Sequence, residues 1–229
     1  MKRLSTETIL VLFAVPTAML LILAYLVKRG DDVLFINGHH SLVSDFFFAF
    51  VTTFGEGLLF IPIFVASLFI RFRYSVLTLV VWAAHSGLCQ FLKRGLFSHV
   101  LRPVSVLDKS QLHFVPHVEV HGLYSFPSGH TATIFCLAML LALFVSKRLP
   151  AVALLLLALL VGYSRIYLLQ HFLIDVAGGA LIGTMVTYLF WKLFHHHTMP
   201  AWMNNSFTNP LSAGGPFATR KKNQKPAGI

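Results

Sequence analysis

The chain has 229 residues, of which 56% are hydrophobic and 11% charged. So apolar a composition excludes an ordinary soluble domain, the length excludes two large ones, and one compact membrane domain over residues 1–200 is left. The net charge of +10 would suggest nucleic acid as the partner of a soluble protein, but in a membrane chain the placement of charge outweighs its sum, and no nucleic-acid partner is implied.

Taken in chain order, six stretches are long and apolar enough for a helix that crosses a bilayer, which needs about 20 residues. They are 9–27, 46–70, 74–92, 130–146, 151–169 and 176–194. Lys2 and Arg3 ahead of the first resemble the start of a secretory signal, but no small-residue cleavage site follows, so a retained helix that tolerates Pro16 is expected. The second holds Glu56 between Gly55 and Gly57, within reach of either the site or lipid headgroups. The third and fourth hold Cys89 and Cys136, which lack the spacing of a zinc or redox motif and read as small buried hydrophobes. Arg165 near the end of the fifth requires that its last turn lie at an interface or against protein. Residues 201–229, rich in Asn, Pro, Gly and Lys without apolar periodicity, are expected to form a basic, disordered cytoplasmic extension.

Basic residues alternate along these helices. Lys2 and Arg3, Arg71 and Arg73, Lys147 and Arg148, then Lys192, Arg220, Lys221, Lys222 and Lys225 fall at one set of ends, which the positive-inside rule places in the cytoplasm. Lys28 and Arg29, offset by Asp31 and Asp32, and the connection 93–126 are then outside.

Three polar clusters share that outer side: Lys93, Arg94 and Arg102-Pro103; Ser125 to His130; and Ser164-Arg165 with His171 and Asp175. Pro127-Ser128-Gly129-His130 stands just before an apolar run, so its amides are the free donors of a helix N-terminus, a natural anion site. Glycine allows close approach of the backbone, and Ser128 adds a hydroxyl. The plain alternative is an ordinary helix cap. His171 and Asp175, four apart, would share one helix face within hydrogen-bond reach, where a carboxylate fixes the tautomer of the ring. Lys93 or Arg94, Arg102 and Arg165 concentrate positive charge that Asp175 alone does not balance and a phosphoryl group would. His113, His117 and His121 are spaced by four, but Pro116 interrupts any helix there, so a loop near the substrate entrance is expected rather than a metal site.

Joined, these residues make a pattern of Lys or Arg, Arg-Pro, Pro-Ser-Gly-His and Ser-Arg-x5-His-x3-Asp, and on it the chain resembles the type 2 phosphatidic acid phosphatase superfamily. The resemblance runs from about Lys93 to Asp175. It departs from the family in the first motif, where eight residues separate Lys93 from Arg102-Pro103 and seven separate Arg94 from it, instead of the usual six; an insertion within 95–101 accounts for either, and Lys93 is preferred because the family residue is lysine. The resemblance implies an all-helical integral membrane protein of six transmembrane helices with its site at the outer membrane face.

It also implies roles. His171 would be the nucleophile, Asp175 its orienting acid and His130 the proton donor, with Lys93, Arg102, Ser128, Gly129 and Arg165 holding the phosphate. No metal, cofactor or obligatory protein partner is implied. The substrate would be a phosphorylated membrane lipid: phosphatidic acid, phosphatidylglycerophosphate, a polyprenyl diphosphate or a lipid A phosphate, met at the outer face of a bacterial inner membrane. A lipid phosphotransferase using the same residues is the alternative enzyme. A transporter is the alternative outside catalysis, and it would show midplane charges and internal repeats, neither of which the sequence contains.

Overall fold

A computed structural model of the chain describes residues 3–196 and 198–208, and among these every regular element is helical. Helix α1 (Thr6–Leu26) starts at Ser5, whose hydroxyl accepts from the Thr8 amide, and it runs through Pro16 without ending. A short helix, α2 (Asp31–Gly38), follows. Nothing in its composition announced it.

The run 46–70, expected as one span, is instead a broken pair. Helix α3 (Leu42–Val51) and helix α4 (Phe60–Leu68) are bent 54° apart at a break around Glu56, whose ψ of 137° is extended. The physical reason lies at Gly55, where a Cβ would come within 2.8 Å of His130 Cβ and 3.0 Å of a Val161 methyl. Only glycine permits that approach, and glycine on both sides of Glu56 weakens the helix there.

Helix α5 (Phe72–Phe91) continues into a single π-helical turn, Leu92–Leu96. Three helices complete the bundle: α6 (Gly129–Val145), α7 (Arg148–Tyr167) and α8 (Leu173–His196). Helix α6 is the core, buried without interruption from Thr131 to Leu140 and enclosed by α1, α5, α7 and α8. Its closest neighbour is α8, where Gly179 and Gly183 let the two backbones meet.

The outer faces of the bundle are apolar. Val11, Val15, Met19 and Ile22 of α1 and Leu181, Met185 and Leu189 of α8 are all exposed, stripes that only a lipid environment leaves without cost. By length and composition four helices can cross a membrane, or five if the bent α3–α4 pair counts as one. Helix α6, with 17 residues, rises about 25 Å and is shorter than the roughly 30 Å hydrocarbon core, so it falls outside that count.

Part of the segment expected as an extension from Ala201 packs on the bundle. Ala201–Asn204 form a helical turn, the Phe72 amide donates to the Asn205 carbonyl at 2.8 Å, and the Phe207 ring packs on Phe69 and Phe72, because an aromatic in the segment finds an apolar groove to fill. Lys2 and residues 209–229, with Arg220, Lys221, Lys222 and Lys225, lie outside the described residues.

Candidate active site

At one end of the bundle a cavity of about 450 Å³ is lined by Lys93, Arg102, Gly129, His130, Arg165 and His171, with Gln170 and the loop residues Val118, Glu119 and His121 at its wall. Three of the side chains are cations and the fold brings them from α5, the following loop and α7. Lys93 sits in the π-helical turn, and Arg94 is exposed and not part of the lining. A smaller cavity of about 130 Å³ adjoins on the other side of His130, between Gly55, Gly57, His85 and Thr133. The Glu56 side chain is exposed at the bend and lines neither.

Ser128 and Asp175 stand behind this lining. Ser128 is fully buried as the cap of α6, its hydroxyl oxygen accepting from the Thr131 hydroxyl at 2.8 Å and the Thr131 amide at 3.4 Å. The capping alternative therefore describes its observed contacts, while Gly129 and His130 occupy the first turn facing the cavity.

His171 and Asp175 do not share a helical turn, as their spacing predicts. Leu169 takes a left-handed φ of 58°, which ends α7 in a tight turn, and the amides of Gln170 and His171 both donate to the Arg165 carbonyl at 2.9 and 3.1 Å. The turn is held by burial: Leu169 packs with Val33 of α2, Phe172 and Val176. Asp175 then lies in the first turn of α8, where one carboxylate oxygen accepts from the Phe172 amide at 3.0 Å and from the Ser125 hydroxyl. The same oxygen, Oδ2, is 3.5 Å from His171 Nδ1. This is a long contact for a hydrogen bond but close enough to orient the ring. The Ser128 amide donates to the Asp175 carbonyl at 2.9 Å, tying the start of α6 to the start of α8.

Both arginines are held by neutral groups. Arg165, buried, donates from Nη1 to the Thr52 hydroxyl at 2.6 Å. Arg102 donates from Nε to the Leu123 carbonyl at 2.9 Å and from Nη1 to Gln170 Oε1 at 2.7 Å. Thr52, Ser125 and Gln170 are thus part of the site's support, although the sequence gives none of them a role. Ser125 carries the one available signal, since it opens the Ser125 to His130 cluster. His113 is drawn away, its Nε2 2.9 Å from Asp45 and its ring stacked on His40, while His121 stays at the cavity wall and His117 takes a left-handed turn.

Burial, then the charges of Lys93, Arg102 and Arg165, hold the His171 imidazole well below the usual histidine range. An unfolded histidine titrates near about 6.5, so at lower pH the unfolded chain binds this proton more readily; the stability His171 contributes is full above about pH 6.5 and is lost as pH falls. The melting temperature in detergent should therefore drop between about pH 7 and pH 5, and His171→Asn should flatten that drop. An unchanged slope in the variant would show that the ring is already solvated.

The PAP2 superfamily model matches residues 74–199, more than half of the chain and every residue named above as lining the larger cavity. Among curated relatives, the lipid A 4'-phosphatase of Bacteroides thetaiotaomicron is 28% identical over 72% of this chain and 76% of its own length. Phosphatidylglycerophosphatase B of Bacillus subtilis is 34% identical over 36% of this chain, a match that spans 45% of that protein. Among solved structures, Aquifex aeolicus LpxE superposes with a TM-score of 0.62 at 28% identity, covering 70% of this chain and 92% of LpxE. A transmembrane phosphatidylglycerolphosphate phosphatase from Bacillus subtilis, at 23% identity and the same TM-score of 0.62, shares the fold over 84% of this chain. With its apolar outer faces, its helical bundle and this match, the chain belongs to the PAP2 superfamily and is a membrane phosphatase.

Proposed function

We propose that the chain hydrolyses a phosphate monoester or diphosphate of a membrane lipid, without a metal ion, through a phosphohistidine on His171. The observation that carries this reading is a buried imidazole set in a cavity whose Lys93, Arg102 and Arg165 attract a phosphoryl group, with Asp175 behind the ring. Because Nδ1 faces Asp175, Nε2 is the nitrogen with its lone pair toward the substrate.

In the first step Nε2 forms a bond to phosphorus as the bond to the lipid oxygen breaks, and His130 gives that oxygen its proton. In the second, His130 takes a proton from water as the water oxygen bonds to phosphorus, the Nε2–P bond breaks with its electron pair returning to His171, and inorganic phosphate leaves. The three cations and the Gly129 amide stabilise the charge on the equatorial oxygens throughout. Ser128 supports this by capping α6 and so aiming the Gly129 and His130 turn.

The same reading assigns six crossings, made by α1, the bent α3–α4 pair, α5, α6, α7 and α8, in the inner membrane of a bacterium. Termini lie in the cytoplasm and the cavity opens outside, which the distribution of Lys and Arg supports. A short α6 fits because its neighbours enclose it and it need not match the bilayer.

The relatives' names put lipid A phosphate, phosphatidylglycerophosphate and undecaprenyl diphosphate on the substrate panel, with phosphatidic acid as the fourth. Purified protein in detergent with EDTA should release phosphate from at least one of them. An acid quench during turnover should destroy, and an alkaline quench preserve, a phosphorylated protein. Release that disappears with EDTA, or none from the whole panel, would sink the metal-independent lipid phosphatase reading.

A further inference from the structure

We infer that Gln170 is a positioning residue for this reaction, a neutral clamp that orients the Arg102 guanidinium toward the phosphate without offsetting its charge. The inference rests on the proposed role of Arg102 in binding phosphate and adds to it the residue through which that role is set.

Gln170 is 2% exposed, between Leu169 and His171 in the turn that leads into α8. A carboxamide buried there must satisfy both its ends. Its Oε1 accepts from Arg102 Nη1 at 2.7 Å and its Nε2 donates to the Glu119 carbonyl at 2.8 Å. An arginine only donates and a carbonyl only accepts, so these partners fix which way the amide points. The Gln170 backbone amide is fixed as well, on the Arg165 carbonyl at 2.9 Å. One residue therefore joins the Arg102 loop, the end of α7 and the Glu119 segment at the cavity wall.

The chemistry of the clamp matters as much as its geometry. A guanidinium carries five N–H donors, and the two hydrogen bonds on Leu123 and Gln170 set its plane while the remaining donors are free for a ligand. A carboxylate in the place of Gln170 would hold the group equally well, but it would also neutralise it and compete with phosphate oxygens for it. An amide holds it and leaves the positive charge in the cavity. Thr52 treats Arg165 in the same way, through a hydroxyl at 2.6 Å. Both arginines of the cavity are thus oriented by neutral acceptors.

The test is a double-mutant cycle on the full chain in detergent, with Gln170→Met, Arg102→Ala and the pair. The readouts are the inhibition constant for inorganic phosphate, followed through the dephosphorylated lipid product, and KM for the best lipid of the panel. Gln170→Met should raise both by about tenfold, the scale for losing a hydrogen bond to a charged group. In the Arg102→Ala background it should raise neither further. Gln170→Glu, which keeps the acceptor but adds a charge, is the second variant should the first not fold; its effect should likewise vanish once Arg102 is gone. An equal rise in both backgrounds would make Gln170 merely structural and overturn the clamp, and so would no rise with Gln170→Met when Arg102→Ala alone weakens binding. If Arg102→Ala itself leaves phosphate inhibition unchanged, the phosphate site reading fails, and the clamp with it.

Discussion

Replacing His171 with alanine is expected to lower phosphate release by about 10³-fold or more, the scale seen when a covalent nucleophile is removed and the remaining site can act only by binding and electrostatics. The effect should fall on kcat more than on KM, because Lys93, Arg102 and Arg165, the proposed phosphate ligands, still line the cavity. It should also erase the acid-labile phosphoprotein. The substitution leaves a small void, yet the turn around it is held by backbone bonds to the Arg165 carbonyl and by Leu169 in its apolar cluster, so the protein should remain folded. Equal release by the parent and variant would move the nucleophile elsewhere, and His130, which lines the same cavity, would be the first to examine.

The second large effect is expected where no chemistry occurs. A Cβ at Gly179 would stand 2.5 Å from the Ser128 carbonyl oxygen and 3.1 Å from the Ala132 nitrogen, and one at Gly183 would stand 2.7 Å from the Ala132 carbonyl oxygen. These obstacles are backbone atoms of α6, which do not rotate aside as a side chain can. Gly179→Ala must therefore push α6 from α8, at a cost of about 1–3 kcal/mol or more for an overfilled core. The same displacement loads the bond between the Ser128 amide and the Asp175 carbonyl, and with it the distance from His130 to His171. A shift on the order of 1 Å between catalytic groups costs about 10² in rate, so Gly179→Ala should melt several degrees lower and lose most of its activity. Gly87→Ala is the control, because a Cβ there meets nothing within 4 Å and alanine is the better helix former. Equal melting temperatures for the two variants would show that α6 and α8 have room to spare.

The ends of α1, α5, α7 and α8 were legible because a membrane helix is announced by some 20 apolar residues, a local property. His130, His171 and Arg165 were legible because their spacing survives as a motif, and the fold brings them to one cavity with Lys93 and Arg102. What stayed hidden depends on contacts between distant residues. The break at Glu56 follows from Gly55 meeting His130, which no periodicity in 46–70 contains. The spacing of His171 and Asp175 reads as one helical turn, whereas the left-handed Leu169 ends α7 in a turn that carries His171, and α8 opens only at Leu173. Thr52 and Gln170 hold the arginines from positions 113 and 68 residues away in sequence, and a polar residue in an apolar chain carries no label for its partner. Residues 201 onward were expected to be disordered, and the packing of the segment from Ala201 to Thr208 turns on Phe207 finding a groove at Phe69 and Phe72, a contact that composition does not announce.

A left-handed backbone is ordinarily the province of glycine, and Leu169 holds it by anchoring its side chain against Val33 beneath α2. Asp32 of the same helix accepts the Leu173 amide at the start of α8. The residues from Gly30 to Gly38 contain no group that touches the cavity, yet they brace the turn on which His171 rides. Tolerance to substitution in this protein therefore should not follow distance from the cavity: a conservative change at Val33 is expected to reach His171 sooner than a drastic one at Arg94, much nearer in the chain to Lys93 but turned away from the cavity.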